Sequence, residues 1–312
     1  MRAKFHKSSA GVMSALLVAS LQFTAAAAEP GARIFPQEDD HFSRALRVGQ
    51  SGALDLSNVS GDIEIRGGSG EEIRIEAEID GDPSLVNIDV SQTGDRVRVE
   101  TRYPKGRKDA SVDFTVTVPS GTAVSASSVS GDVDVHYVSG EVRAESVSGD
   151  VTVSNLDNLL VAESVSGDLA VQSATSQEEL ELSSVSGDVL VNDLSARGVV
   201  VSSVSGDAVL ARANCERASV ESVSGEIRYG GSLAANGRYE FQSHSGSVQI
   251  QIANEIGFEL AATSFSGEIE SDFPITPSSG RVGESEVHGV YGDGSALIEA
   301  STFSGNVSIT RD

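Results

Sequence analysis

The chain has 312 residues, a formal net charge of −24, one cysteine, no tryptophan and only 5% aromatic residues, with Gly 32 and abundant serine suiting many short strands joined by tight corners. An acidic surface lacks the Lys and Arg that displace phosphate counterions, so nucleic acid is excluded as a partner. A single cysteine permits neither an intramolecular disulfide nor a cysteine-built zinc cage, and no cofactor is expected.

Residues 1–28 read as a secretory signal peptide: Arg2, Lys4 and Lys7 precede an apolar stretch and small residues at Ala26 to Ala28. That stretch is too short for a comfortable membrane span, and no later run could cross a bilayer. The mature chain is therefore expected in the periplasm, at the cell surface or secreted, more acidic still once the three cations are removed. Residues 29–47 read as a polar lead-in or cap. Residues 48–125 are strand-rich but irregular, either the N-terminal part of one continuous β architecture or a small β domain. Residues 126–312 carry a regular repeat.

Ser-Gly pairs, mostly followed by Asp or Glu and an apolar residue, recur with glycines at Gly131, Gly149, Gly167, Gly187, Gly206, Gly225, Gly246, Gly267 and Gly305. The intervals run from 18 to 21 except the last, 38, which suggests one degenerate corner around His288-Gly289-Val290. Between corners, alternation and β-branched residues signal strands, with Val151 and Val153 sharing a face. The period predicts an all-β, parallel β-solenoid (β-helix) with coils of about 18–21 residues and two short strands per coil. A phase break at Ser-Gly would place Val142, Ala144, Ser146 and Ser148 inward and Val147 outward, with serine hydroxyls stacked under the bend. The second corner varies in length, so specific recognition is more easily placed there.

The segments Ser146 to Val153, Ser164 to Val171 and Ser184 to Val191, each Ser-Val-Ser-Gly-Asp followed by apolar alternation, and the lead-in Val116 to Gly121 resemble the bacterial putative-adhesin β-strand-repeat family, a domain family of unknown function. The resemblance covers about residues 50–310 and implies an exported, solenoid-like envelope or surface protein. It brings no established catalytic residues.

Two columns carry the candidate chemistry. The acidic one comprises Asp62, Asp132, Asp150, Asp168, Asp188 and Asp207, with Glu141, Glu226 and Glu268 as variants. Carboxylates one strand spacing apart repel by about 1 kcal/mol even in bulk water. Asp132, Asp150, Asp168, Asp188 and Asp207 could offset this by holding Ca²⁺ between rungs. Alternatively each Asp accepts from its own corner amides in an Asx-type turn, a reading favoured because the denser glycine pattern of calcium-binding solenoids is missing. The second column is Val129, Val147, Val165, Val185, Val204 and Val223, continuing as His244, Phe265 and Phe303. It is either an exposed apolar stripe for partner contact or a set of side chains tucked into the corner.

Enzyme signatures are missing: there is no H-E-x-x-H, G-x-S-x-G, phosphate-binding loop or dinucleotide fingerprint. The expectation is a non-enzymatic, adhesin-like protein presenting a rigid acidic surface to a protein, glycan or surface in the cell envelope. A structural or envelope-stress-related spacer without a ligand is the first alternative, and a polysaccharide-acting β-helix enzyme the second.

Overall fold

The computed structural model describes residues 33–36, 40–103, 110–277 and 285–312; the expected signal peptide, residues 1–28, lies outside them. The described chain is all-β, its 24 strands joined in one hydrogen-bonded sheet, with a single 3₁₀ turn at Pro83–Leu85. No helix among the described residues is long and apolar enough to cross a membrane.

The repeat folds as rungs, here named by their corner glycine. In the Gly149 rung, Glu141–Ser148 leads into the corner and Val151–Leu156 leaves it. Val142, Ala144 and Ser146 are fully buried before the corner, Val151 and Val153 after it. Neighbouring rungs repeat this pattern in parallel register: Ser146 pairs with Ser128 and Ser164, and Val151 with Val133 and Leu169. One face of each strand is thereby buried against the opposite strand of the same rung, giving a continuous apolar interior. Each buried Val or Leu side chain contributes about 1.5–3 kcal/mol by leaving water.

Glycine is required at the corner because backbone stacks on backbone. A Cβ on Gly149 would overlap the carbonyl group of Gly131, and the same clash recurs at Gly167 against Gly149. The break in alternation falls earlier than predicted. Ser146 is buried, but Val147 and Ser148 both face outward, because the Ser146 hydroxyl already fills the inside of the bend, donating to the Gly131 carbonyl.

Two short strands per coil describes the Gly131 and Gly149 rungs but not the middle of the stack. There single strands run on through the second corner, Leu169–Ser186, Val189–Ser205, Ala208–Ser224 and Ile227–Ser245, with shifts of register at Ser176/Glu179, Leu210/Ala213 and Cys215/Arg217. Single non-glycine residues with positive φ mark the bend in successive rungs, Tyr137 and Asn155 in the short strands and Ser173, Asp193 and Arg212 in the long ones, while in Ile227–Ser245 the positive φ falls further on, at Asn236. Turning at one residue lets its neighbours stay paired.

Rungs follow chain order from Gly131 to Gly246, and then the order changes. Ala296–Ser304 pairs in parallel with Ile227–Ser245 on one side and with Phe258–Ser264 on the other, so the Gly305 rung sits between those of Gly246 and Gly267. The long last interval is therefore not a degenerate coil. Glu286–Tyr291, the segment holding His288-Gly289-Val290, runs antiparallel to Phe258–Ser264. The other end mirrors this arrangement. Ala53–Asn58 and Ile63–Gly68 pair with Ala123–Ser130 and Val133–His136 on one side, and with Arg96–Arg102 and Ala110–Pro119 on the other. The parallel ladder thus crosses from residues 48–125 into 126–312 without a break.

Antiparallel strands complete the N-terminal end: Glu72–Gly81 on Ala110–Pro119, His41–Arg47 on Glu72–Gly81, and Asn87–Thr93 on Arg96–Arg102. Where it is described, the expected lead-in 29–47 is strand: Arg33–Pro36 pairs with Asn87–Thr93, and His41–Arg47 alternates around a buried Phe42. These additions cover edges that would otherwise offer unpaired backbone to other chains.

Candidate functional site

The Ser-Gly-Asp corner aligns three kinds of side chain along the stack. Innermost are hydroxyls: Ser146 Oγ donates to Gly131 O at 3.0 Å, Ser164 to Gly149 O at 3.0 Å, Ser184 to Gly167 O at 3.2 Å and Ser243 to Gly225 O at 3.2 Å. Each bond ties one rung to the carbonyl of its predecessor, and a satisfied buried hydroxyl contributes about 1 kcal/mol. Asn58 takes the same place in the Gly61 rung, donating through Nδ2 to Gly61 O and Val112 O.

The acidic column is a second ladder. The backbone N–H of Asp150 donates to Asp132 Oδ1 at 2.8 Å, that of Asp168 to Asp150, of Asp188 to Asp168, of Asp207 to Asp188 and of Glu226 to Asp207, all at 2.8 Å. Asp62 serves Asp132 in the same way at 2.9 Å. Each carboxylate therefore accepts from the next rung's amide rather than from its own corner, which corrects the Asx-turn expectation. The physical reason is stacking: the parallel neighbour presents a free corner N–H directly above a short acidic side chain. Such charge-assisted bonds offset the repulsion between rungs. Asn306 Oδ1 does the same for the Glu268 N–H at 3.1 Å, so an amide oxygen suffices. Among the described residues, no group of three or more His, Cys, Asp or Glu side chains is placed to hold a metal ion, and Asp132, Asp150, Asp168 and Asp188 form no ion pair, whereas Asp207 meets Arg228 at 3.5 Å.

Outermost is the apolar column. Val129, Val147, Val165, Val185 and Val204 face out and are half-buried, and Val223 is 37% exposed. Val59 extends the line at one end, masked in the sequence because Asn58 replaces the corner serine. At the other end the spatial order is His244, Phe303, Phe265. The His244 and Phe303 rings stack at 5.1 Å with 12° between planes, and Phe303 and Phe265 at 4.7 Å with 6°. Phe265 is 74% and Phe303 49% exposed. On the opposite flank from the aspartates lie Glu145, Glu163 and Glu221, each preceding a corner serine. Burial pushes all three carboxyls above the usual range, and for Glu163 the neighbouring Glu145 and Glu181 add to the shift. The recurring Glu-Ser-Val-Ser-Gly is the sequence signal that marks this column.

The Toastrack DUF4097 family matches residues 51–310. The chain belongs to this family. It is similar to the solved structures of a putative adhesin from Parabacteroides distasonis (14% identity, covering 88% of this chain and 98% of that one, TM-score 0.44) and of a putative adhesin from Bacteroides fragilis (15% identity, 88% and 98% covered, TM-score 0.42). A putative cell adhesion protein from Clostridium sporogenes is 10% identical over 87% of this chain and 99% of its own, with a TM-score of 0.25. No curated protein is significantly similar to it.

In this Toastrack chain the second corner forms an open groove of about 520 Å³, lined among others by Ser173, Asp193, Arg212, Asn214 and Ser232. Arg212 grips Asp193 in the adjacent rung with two hydrogen bonds, one of them Nη2 to Oδ2 at 2.8 Å, and this bonding lowers the Asp193 pKa. Beneath the groove, Cys215 is buried and its thiol is pushed up to about 11 by burial. A thiol so rarely ionised is a packing residue, not a nucleophile. The Tyr239 hydroxyl donates to Cys215 O at 2.6 Å.

Proposed function

We propose that the mature chain is an exported, non-enzymatic, parallel β-solenoid that presents a rigid acidic surface for adhesin-like contact with a protein, glycan or surface in the cell envelope. The observation that carries this reading is the corner stripe: aliphatic and aromatic side chains, held outward in register from Val59 to Phe265 and bordered by carboxylates. Side chains that served only the interior would point inward, and here the interior is already filled. The signal-like segment 1–28 supports export. The corner carboxylates run as ladders along the stack rather than converging on one point as acid–base chemistry requires.

A deletion strain tested for attachment and for sensitivity to envelope stress, together with a glycan-binding screen of the purified mature chain, tests the reading. Attachment is expected to fall in the deletion strain and to return on complementation, without shortening of any bound polysaccharide. Normal attachment with heightened stress sensitivity would replace it with the spacer role. Turnover of a glycan would replace it with an enzyme.

A further inference from the structure

We propose that the corner stripe is a docking line for a cationic amphipathic α-helix. The proposal rests on the reading of the molecule as an interaction module and specifies the partner's chemistry.

Spacing comes first. Adjacent stripe side chains are one rung apart, and the stacked rings put that step at 4.7 Å and 5.1 Å. An α-helix presents one line of side chains every turn, at about 5.4 Å, so a helix lying along the stripe stays in step for at least about three turns before slipping half a rung. An extended strand presents same-face side chains every 6.6 Å or so and loses step at the first or second contact. From Val129 to Val204 the stripe covers about 19 Å at the strand spacing, which a helix of about 13 residues spans.

Charge comes second. Along that stretch the stripe runs between Asp132, Asp150, Asp168 and Asp188 on one side and Glu145 and Glu163 on the other. The four aspartates form no ion pair among the described residues, and each has one carboxylate oxygen that the amide ladder does not use. Lys and Arg flanking an apolar line on a helix could lay their stems over the valines and bring their heads to both rows of acid. A second copy of this chain is a poor occupant, because the approaching surfaces carry like charge. A neutral glycan would leave both rows unpaired.

The test is a titration of the purified mature chain with a labelled synthetic peptide of about 14 residues, leucines on one helical line and lysines on both flanks, against a scrambled peptide of equal composition. The ordered peptide is expected to bind at least about tenfold more tightly than the scrambled one, and to weaken as salt rises. Substituting Asp150→Asn, Asp168→Asn and Asp188→Asn together keeps the amide ladder, as Asn306 shows, and is expected to cost most of the salt-dependent affinity. Val147→Ser, Val165→Ser and Val185→Ser together are expected to cost the difference between ordered and scrambled peptides, with thermal unfolding confirming that the chain still folds. Equal binding of the two peptides, or unchanged binding by the Asn variant, overturns the proposal. So does stripe-dependent self-association in sedimentation without peptide binding, which would assign the stripe to a second copy. Lost attachment in the deletion strain without peptide binding overturns this proposal alone. Peptide binding with normal attachment overturns the adhesin-like reading and leaves the docking line standing.

Discussion

At the scale of the residue, the corner aspartates are structural before they are anything else. Each completes the hydrogen bonding of the rung above it, which explains why Asp dominates the position where any solvated acid would do: its short side chain places Oδ1 at the next amide, 2.8 Å away in five successive rungs. Asp168→Ala should therefore cost about 1–2 kcal/mol, a charge-assisted bond reduced by exposure, while Asp168→Asn should cost less than about 0.5 kcal/mol because the acceptor is retained. Urea denaturation of the two variants checks the difference, and equal losses would show that the bond carries no stability. Glu163 should behave in the opposite sense. Its folded pKa lies above the unfolded value through burial and through Glu145 and Glu181, so ionisation costs more in the fold than in the unfolded chain. The penalty is zero below the unfolded value, about 4.3, and grows as pH rises from there to the folded pKa. Glu163→Gln should thus stabilise the protein at pH 7 and make no difference at about pH 4, as thermal unfolding at the two pH values would show.

At the scale of the element, the two corners of a rung were unequally legible. The Ser-Gly-Asp corner declares itself because stacking imposes residue type: glycine where backbone meets backbone, a small hydroxyl inside the bend, a short acid beside the next amide. From it the parallel rungs and the inward faces of Val142, Ala144, Val151 and Val153 follow. The second corner imposes no type. Its positive φ falls on Tyr137, Asn155, Ser173, Asp193 and Arg212 in successive rungs, so no residue type marks it or the long strands that pass through it. The stripe was legible through its valines, but Val59 was hidden behind an asparagine. The order His244, Phe303, Phe265 could not follow from spacing, because an interval of twice the repeat fits an inserted rung as well as a degenerate one. The contrast between corners has an energetic consequence. A non-glycine residue in the left-handed region costs about 1 kcal/mol, so Ser173→Gly, at φ 52°, should stabilise by up to about 0.5 kcal/mol once the freer unfolded chain is counted. Gly149→Ala should destabilise by more than about 2 kcal/mol, since the new methyl meets the Gly131 carbonyl. The signs are opposite although both changes exchange glycine with a small residue, and chemical denaturation of the pair measures them directly.

At the scale of the whole molecule, the ends distinguish this chain from a simple stack. In a repeat array whose units follow chain order, removing the last unit leaves the others with one bare neighbour. Here the C-terminal segment is an interior rung. Ile298 lies between Tyr239 and Leu260, and Ile309 beside Ile250, all fully buried or nearly so. The Gly267 rung, outermost at that end, is held in place by a neighbour that follows it in the chain, so it cannot fray by simple peeling from a terminus. Deleting residues 296–312 should therefore strip both sides of the gap: amide hydrogen exchange should accelerate in 238–252 and in 258–271 together, while the Gly131 to Gly206 rungs keep their protection. Exchange confined to 258–271 would mean that the inner rung adds little to its Gly246 neighbour. Slow exchange in both segments would mean that the Gly267 rung can close directly onto the Gly246 rung, restoring the chain order that the sequence period implies.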